Sequence, residues 1–182
     1  MDLVRALVEL DEAPELHCAR LLVLLRAFAG PERGDRIEGL TKLAKLDFLL
    51  RYPVMLERAL KAKGRSASAA NVETHERHSV ESEMVRYRFG PWDHRYRALL
   101  NILIGKGLAE ISVEGRTITV GLTEEGVSIS ETLSSAGEFS KYVERAAILR
   151  RHFNLTATNL MRFIYDTFPE ILNLQANEPI QS

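Results

Sequence analysis

The sequence predicts a mainly α-helical fold with a small β-sheet or hairpin, an α+β architecture, on three observations. Apolar residues recur at helical spacing in several separate stretches, as at Leu3, Leu7 and Leu10 and again at Leu99, Leu100 and Leu103. Only the stretches near 83–89 and 108–122 alternate with the period of two that a strand requires. With 182 residues, 46% of them hydrophobic and 27% charged, the chain can bury one good core with a helical appendage.

Taken in order, residues 2 to 29 carry Leu3, Leu7, Leu10, Leu21, Leu22, Leu25 and Phe28 at helical spacing, and Pro14 marks a fresh helix start. Gly30, Pro31, Gly34 and Gly39 then supply a loop. "LTKLAKLDFLLRYPVMLERALKAKG" resumes the helical pattern with Leu40, Leu43, Leu46, Leu49 and Leu50. Pro53 divides it into two short helices, because proline removes a helix donor and restricts the residue before it. Residues 64–82, "GRSASAANVETHERHSVES", lack large hydrophobes and are expected to form an exposed, mobile insert. "EMVRYRF" alternates as a half-buried strand that Gly90 and Pro91 end.

Between Asp93 and Lys106 the residues Tyr96, Leu99, Leu100, Leu103 and Ile104 form one helical stripe. Asp93 is the expected N-cap, Lys106 suits the C-terminal end of the dipole, and Gly107 suits the C-cap. "LAEISVEGRTITVGL" reads as a hairpin turning at Glu114 and Gly115, and Thr123 with Glu124 and Glu125 opens the next helix. "EFSKYVERAAILRRHF" and "TATNLMRFIYDTFPEIL" give two more. The expected organisation is therefore a domain over 1–125 with the insert at 64–82, a helical extension over 126–174 packed on it or on a partner, and a frayed tail over 175–182.

Composition narrows the function. A formal net charge of −1 removes the general basic excess of many DNA-binding chains, so a nucleic-acid role must rest on local patches. Cys18 is the only cysteine, which excludes an internal disulfide and a Cys-rich zinc framework, and its leucine-rich setting predicts a buried thiol. The longest apolar run, "CARLLVLLRAFAG", is too short to cross a bilayer and is broken by Arg20 and Arg26, while Met1 is followed by acidic Asp2. A cytoplasmic location is expected.

No enzyme motif stands out. "THERH" places His75 and His78 three apart in a polar loop, whereas the zinc-protease motif needs histidines four apart on a stable helix. There is no phosphate-binding loop ending in Lys-Ser/Thr, no Rossmann fingerprint and no nucleophile elbow. The carboxylate pairs Glu124/Glu125 and Glu81/Glu83 suit a helix N-terminus and an exposed loop. The reading assigns no catalytic residue, no metal and no cofactor.

A strand, a helix closed by "GKGL", a glycine-tipped hairpin and a helix opening at "LTEEG" resemble the second half of a winged helix-turn-helix-like core, here with additional N- and C-terminal helices. The face opposite the leucine stripe carries His94, Arg97 and Asn101, where arginine suits guanine and asparagine suits adenine. Arg86, Arg88, Arg95, Lys106 and Arg116 are the candidate phosphate contacts, offset by Glu83, Asp93, Glu110 and Glu114. A second basic cluster, Lys141, Arg145, Arg150, Arg151 and His152, is spread around its helix, with Arg150 and Arg151 kept as contacts to DNA or an acidic partner. For both clusters an ordinary solvated face is the competing reading. In the last helix Leu160, Met161, Phe163, Ile164, Tyr165 and Phe168 cover most of the circumference, so they pack into the chain's own core, pair with a second copy, or dock on a partner.

"GLTKLAKLDFLLRYP" followed by "YRFGPWDHRYRALLNILIGKGL" resembles the small middle component of ABC three-component anti-phage defence systems, the group that includes Lamassu. The likeness covers residues 15–125: a leucine-rich helix ending at Tyr-Pro, a polar insert, then an aromatic-Gly-Pro turn into a helix closed by Gly-Leu. It implies a non-catalytic bridging subunit of a bacterial complex, binding an SMC-like coiled-coil ATPase and an effector that is often a nuclease, with double-stranded DNA as a further contact. The alternative is an autonomous winged-helix transcription regulator acting as a homodimer through His94, Arg97 and Asn101.

Overall fold

The computed structural model describes residues 13–30, 35–78, 84–87, 90–176 and 178–180. Over these the fold is mainly helical with a small three-stranded antiparallel sheet. Helix α1 spans Pro14–Phe28, with proline in its first turn, and buries Leu21, Leu24, Leu25 and Phe28. Strand β1, Ile37–Glu38, leads through Gly39 into α2, Leu40–Arg51. Helix α3 begins at Pro53 and runs to Ala62, so the expected division at this proline is present.

Helix α2 is the centre of the molecule. It packs against α1, α3, β1 and β3 and against two later helices, and every residue from Lys42 to Arg51 is buried, the charged ones included. A helix buried all round should be apolar all round, so its four charged residues each demand a local partner or a ligand.

Two 3-10 turns, Ala67–Ala70 and His75–His78, follow α3. The described part of the insert, 64–78, is largely exposed, as expected, and is anchored at Ala70 and Glu76. Ala70 is buried, and the Arg145 guanidinium donates to the carbonyls of Ala70 and Asn71 and to both carboxylate oxygens of Glu76. These bonds hold the Glu76 carboxyl down at about 2 against the opposing effect of burial. Small polar residues left no apolar period in the sequence, yet one long arginine fastens their backbone.

Strands β2, Val85–Tyr87, and β3, Gly90–Trp92, form a two-stranded antiparallel ribbon with Arg86 opposite Pro91. Gly90 and Pro91 therefore continue the structure where the sequence predicted its end. Helix α4, Tyr96–Gly105, buries Tyr96, Leu99, Leu100 and Leu103. The hairpin β4, Ala109–Glu114, and β5, Thr117–Leu122, follows, and β1 adds to its second strand to give the sheet order β1-β5-β4.

Thr123 caps α5, Glu124–Ser135, by accepting from the Gly126 backbone N–H at 3.0 Å. Gly126 is required there, because a Cβ would stand 1.8 Å from the Leu108 carbonyl oxygen. Helices α6, Ser140–Phe153, α7, Ala157–Thr167, and α8, Pro169–Asn173, complete the chain. The helices after residue 126 belong to the same core as α1 and α2: α5 and α6 lie on α1, and α7 lies across α2 and α3. In the described part of the tail Ile180 is buried, and its N–H donates to the Met84 carbonyl at 2.8 Å. No helix among the described residues is long and apolar enough to cross a membrane.

Candidate nucleic-acid interface and its anion cleft

Two arginine-rich assemblies lie at the start of α4, one sealed and one open. The sealed one joins α1, α2 and the segment before α4. Asp47, fully buried, accepts from Arg20 Nε at 2.7 Å and Nη2 at 3.2 Å and from the Tyr96 hydroxyl at 2.7 Å. Asp93 accepts from Arg51 at 2.9 Å, from the Arg95 guanidinium, and from the Arg95 backbone N–H. Burial alone would raise both carboxyls, but the surrounding guanidinium groups hold both below the usual carboxylate range.

His17 closes the assembly, with Arg20 Nη1 2.8 Å from Nδ1 and Arg95 Nη1 2.9 Å from Nε2. Guanidinium groups only donate and a neutral imidazole accepts at one ring nitrogen, so His17 takes a hydrogen bond from one of the two arginines while the charges of both keep it neutral. Burial, then the charges of Arg20, Arg95 and Arg51, push its pKa down to about 4.

Asp93 was expected to cap α4. Its carboxylate instead closes a turn on the Arg95 N–H, and the helix begins at Tyr96 with no side-chain cap. This assigns Arg95 a structural position, bonded to Asp93 and His17, and corrects its reading as a phosphate contact.

The open assembly is the outer face of α4. Opposite the buried Tyr96/Leu99/Leu103 stripe, His94, Arg97 and Asn101 are exposed, as is Arg116 at the hairpin turn, whereas Lys106, also exposed, lies on the α1 side beside Glu15 and Cys18. Among the described residues no carboxylate lies within 4.0 Å of Arg97 or Arg116. His94, Arg97 and Arg116 all line a cleft of about 770 Å³ between α4, the hairpin and the starts of α2 and α7. Lys45, Trp92, Thr41 and Thr156 share its lining, and Glu38 is its one carboxylate. Such a surface is suited to anions: cationic side chains converge where one acidic group opposes them.

The remaining predicted contacts fall elsewhere. Arg86 sits on β2, and Arg88 lies outside the described residues. In the second basic cluster Lys141 pairs with Glu73 at 2.7 Å, Arg145 is buried on the insert, and Arg150 pairs with Asp35 at 2.7 Å while lying over the Phe28 ring. Arg151 is exposed. The cluster is thus largely neutralised by acids distant in sequence, with Arg150 in an exposed ion pair.

The partner-contact reading of the last helices is corrected in the same way. Leu160, Ile164 and Phe168 are fully buried in the chain's own core, Phe168 edge-on to Phe48. Of the half-buried three, Phe163 meets Phe153, Tyr165 lies against Gly90, and Met161 is at the margin. The apolar side of the helix found its cover within the molecule, while Asn159, Arg162 and Asp166 are exposed.

Lys45 escaped the sequence reading altogether, as did His17, Arg20, Asp47 and Arg51. The available signal was four charged residues inside α2, a helix whose leucines occupy most of its circumference. No family model, curated protein or solved structure matches this chain.

Proposed function

We propose that the chain is a non-catalytic, winged-helix-type subunit that contacts double-stranded DNA through the outer face of α4 and the hairpin tip and bridges it to larger partners. The observation that carries this reading is the exposure of His94, Arg97 and Asn101 beside Arg116, on a helix whose other face is anchored in the core. Its setting supports it. A helix, a short strand, a second helix, a third helix and a hairpin, with the short strand on the hairpin's second strand, is the winged-helix order; residues 52–92 stand as an insertion before the third helix.

In this reading α4 enters the major groove, with Arg97 directed at guanine and Asn101 at adenine. Arg116 on the wing takes a backbone phosphate. ATP hydrolysis and strand cleavage belong to an SMC-like coiled-coil ATPase and an effector, as the resemblance to anti-phage defence components implies. Affinity purification of the tagged chain from its native host, with identification of co-purifying chains, tests the assembly. A coiled-coil ATPase recovered with an effector is expected; recovery of this chain alone as a DNA-bound dimer would contradict it.

That second outcome defines the competing reading, an autonomous homodimeric regulator. One observation favours it: Ile111, Val113 and Ile118 on the hairpin are 43%, 66% and 41% exposed and form an apolar surface that a second copy would cover.

A further inference from the structure

We propose that the cleft between α2, α4 and the hairpin is a nucleotide-binding site, in which Lys45, Arg97 and Arg116 take the phosphates and the wall formed by Trp92 and Pro91 takes the base. The seat shares Arg97 and Arg116 with the DNA-contacting face, adds Lys45 and Trp92, and needs no base reading by α4.

Lys45 is the observation that demands a ligand. Its side chain is 2% exposed yet lines the cleft, and among the described residues its ammonium is bonded only to the Thr41 carbonyl of its own helix, at 3.1 Å. The buried arginines Arg20, Arg51 and Arg145 each meet a carboxylate; of the two buried lysines, Lys42 donates to the Asn154 side-chain oxygen at 3.0 Å, and Lys45 has only the carbonyl of its own helix. A buried charge without a counter-ion is costly, and the burial pushes its pKa down to about 8. An anion in the cleft would supply the missing charge.

The backbone adds to this. Helix α2 starts at the cleft with Gly39, which offers no capping side chain, and has no acidic residue in its first turn. Its first N–H groups and the positive end of its dipole are therefore available to phosphate oxygens. Gly90, with φ of +112°, lets the ribbon pass over the Lys45 side chain, whose Cε would lie 3.6 Å from an added Cβ. The cleft volume of about 770 Å³ falls within the range of about 300–1,000 Å³ typical of small-ligand pockets. The half-buried Trp92 gives one wall an aromatic character suited to a base.

A free nucleotide and the phosphorylated end of a strand share this chemistry. Calorimetric titration of the full chain with ADP, adenosine, pyrophosphate and a 5′-phosphorylated dinucleotide separates them. Saturable ADP binding is expected, at least tenfold stronger than that of adenosine or pyrophosphate and weakened at least tenfold by Lys45→Met and by Arg116→Gln. Tighter binding of the dinucleotide than of ADP, with the same losses in the variants, would also support the site and name a strand end as its source. Pyrophosphate binding as well as ADP would overturn the nucleotide class, and absence of saturable binding at millimolar concentrations, or equal affinity in both variants, would overturn the site. Arg116 lies on the exposed turn, so its variant remains informative if Lys45→Met does not fold. Duplex binding that persists in Lys45→Met separates failure here from failure of the DNA reading.

Discussion

Arg95 and Arg97 stand two residues apart, and the structure gives them opposite positions. Arg95 closes a largely buried assembly in which hydrogen bonds and ion pairs join His17, Arg20, Asp47, Arg51, Asp93 and Tyr96. Arg97 projects from the next turn into an open cleft with no carboxylate beside it among the described residues. What separates an architectural arginine from one available to a ligand is therefore the presence of a nearby acid: Asp93 reaches Arg95 from two residues away, and Asp47 of α2 reaches the neighbouring Tyr96 across the fold.

The comparison predicts unequal responses to substitution. The largest belongs to Asp47→Ala, which strands Arg20 and the Tyr96 hydroxyl in the core; urea unfolding should show a loss of about 3–5 kcal/mol. The sealed assembly should also be sensitive to acid. In the unfolded chain His17 takes up a proton near its ordinary value of 6.5, but in the fold only near 4, so its contribution is complete above 6.5 and is lost as pH falls toward 4. Urea titrations at pH 7 and 4.5 should differ by roughly 2–3 kcal/mol from this residue, a slope that His17→Asn removes.

The open face should behave in the reverse manner. Asn101→Ala should leave unfolding within about 0.5 kcal/mol of the parent. It should cost about 1–3 kcal/mol in affinity for a preferred duplex, read by fluorescence anisotropy. Arg116→Gln should weaken all duplexes alike and lower the salt slope of binding by about one. The smallest effect belongs to Arg150→Gln, where an exposed ion pair with Asp35 contributes under about 1 kcal/mol to stability and duplex affinity should not move.

The sequence revealed those features that depend on neighbours along the chain. The α4 stripe, the Pro53 break, the Thr123 cap and the hairpin all follow from periodicity, proline or turn chemistry within a few residues. The outer face of α4 was legible for the same reason, because it is simply the side without leucines. The features that escaped depend on pairing across the fold: Asp47 with Arg20, Arg145 with the insert, and Ile180 with Met84. Lys45 escaped because its role arises only where the ends of α2 and α7, the ribbon and the hairpin meet. The apolar C-terminal helix showed that it needed cover but not that α2 and α3 would provide it.

The most direct test of the central claim is the affinity of the purified full chain for random-sequence and selected duplexes, measured across salt concentrations for the parent and for Arg97→Gln/Asn101→Ala. The account predicts salt-dependent binding by the parent and loss of the preference for selected over random duplex in the double variant, with unchanged melting temperature. Binding that is absent at low salt, or a preference that survives the double substitution, would contradict it.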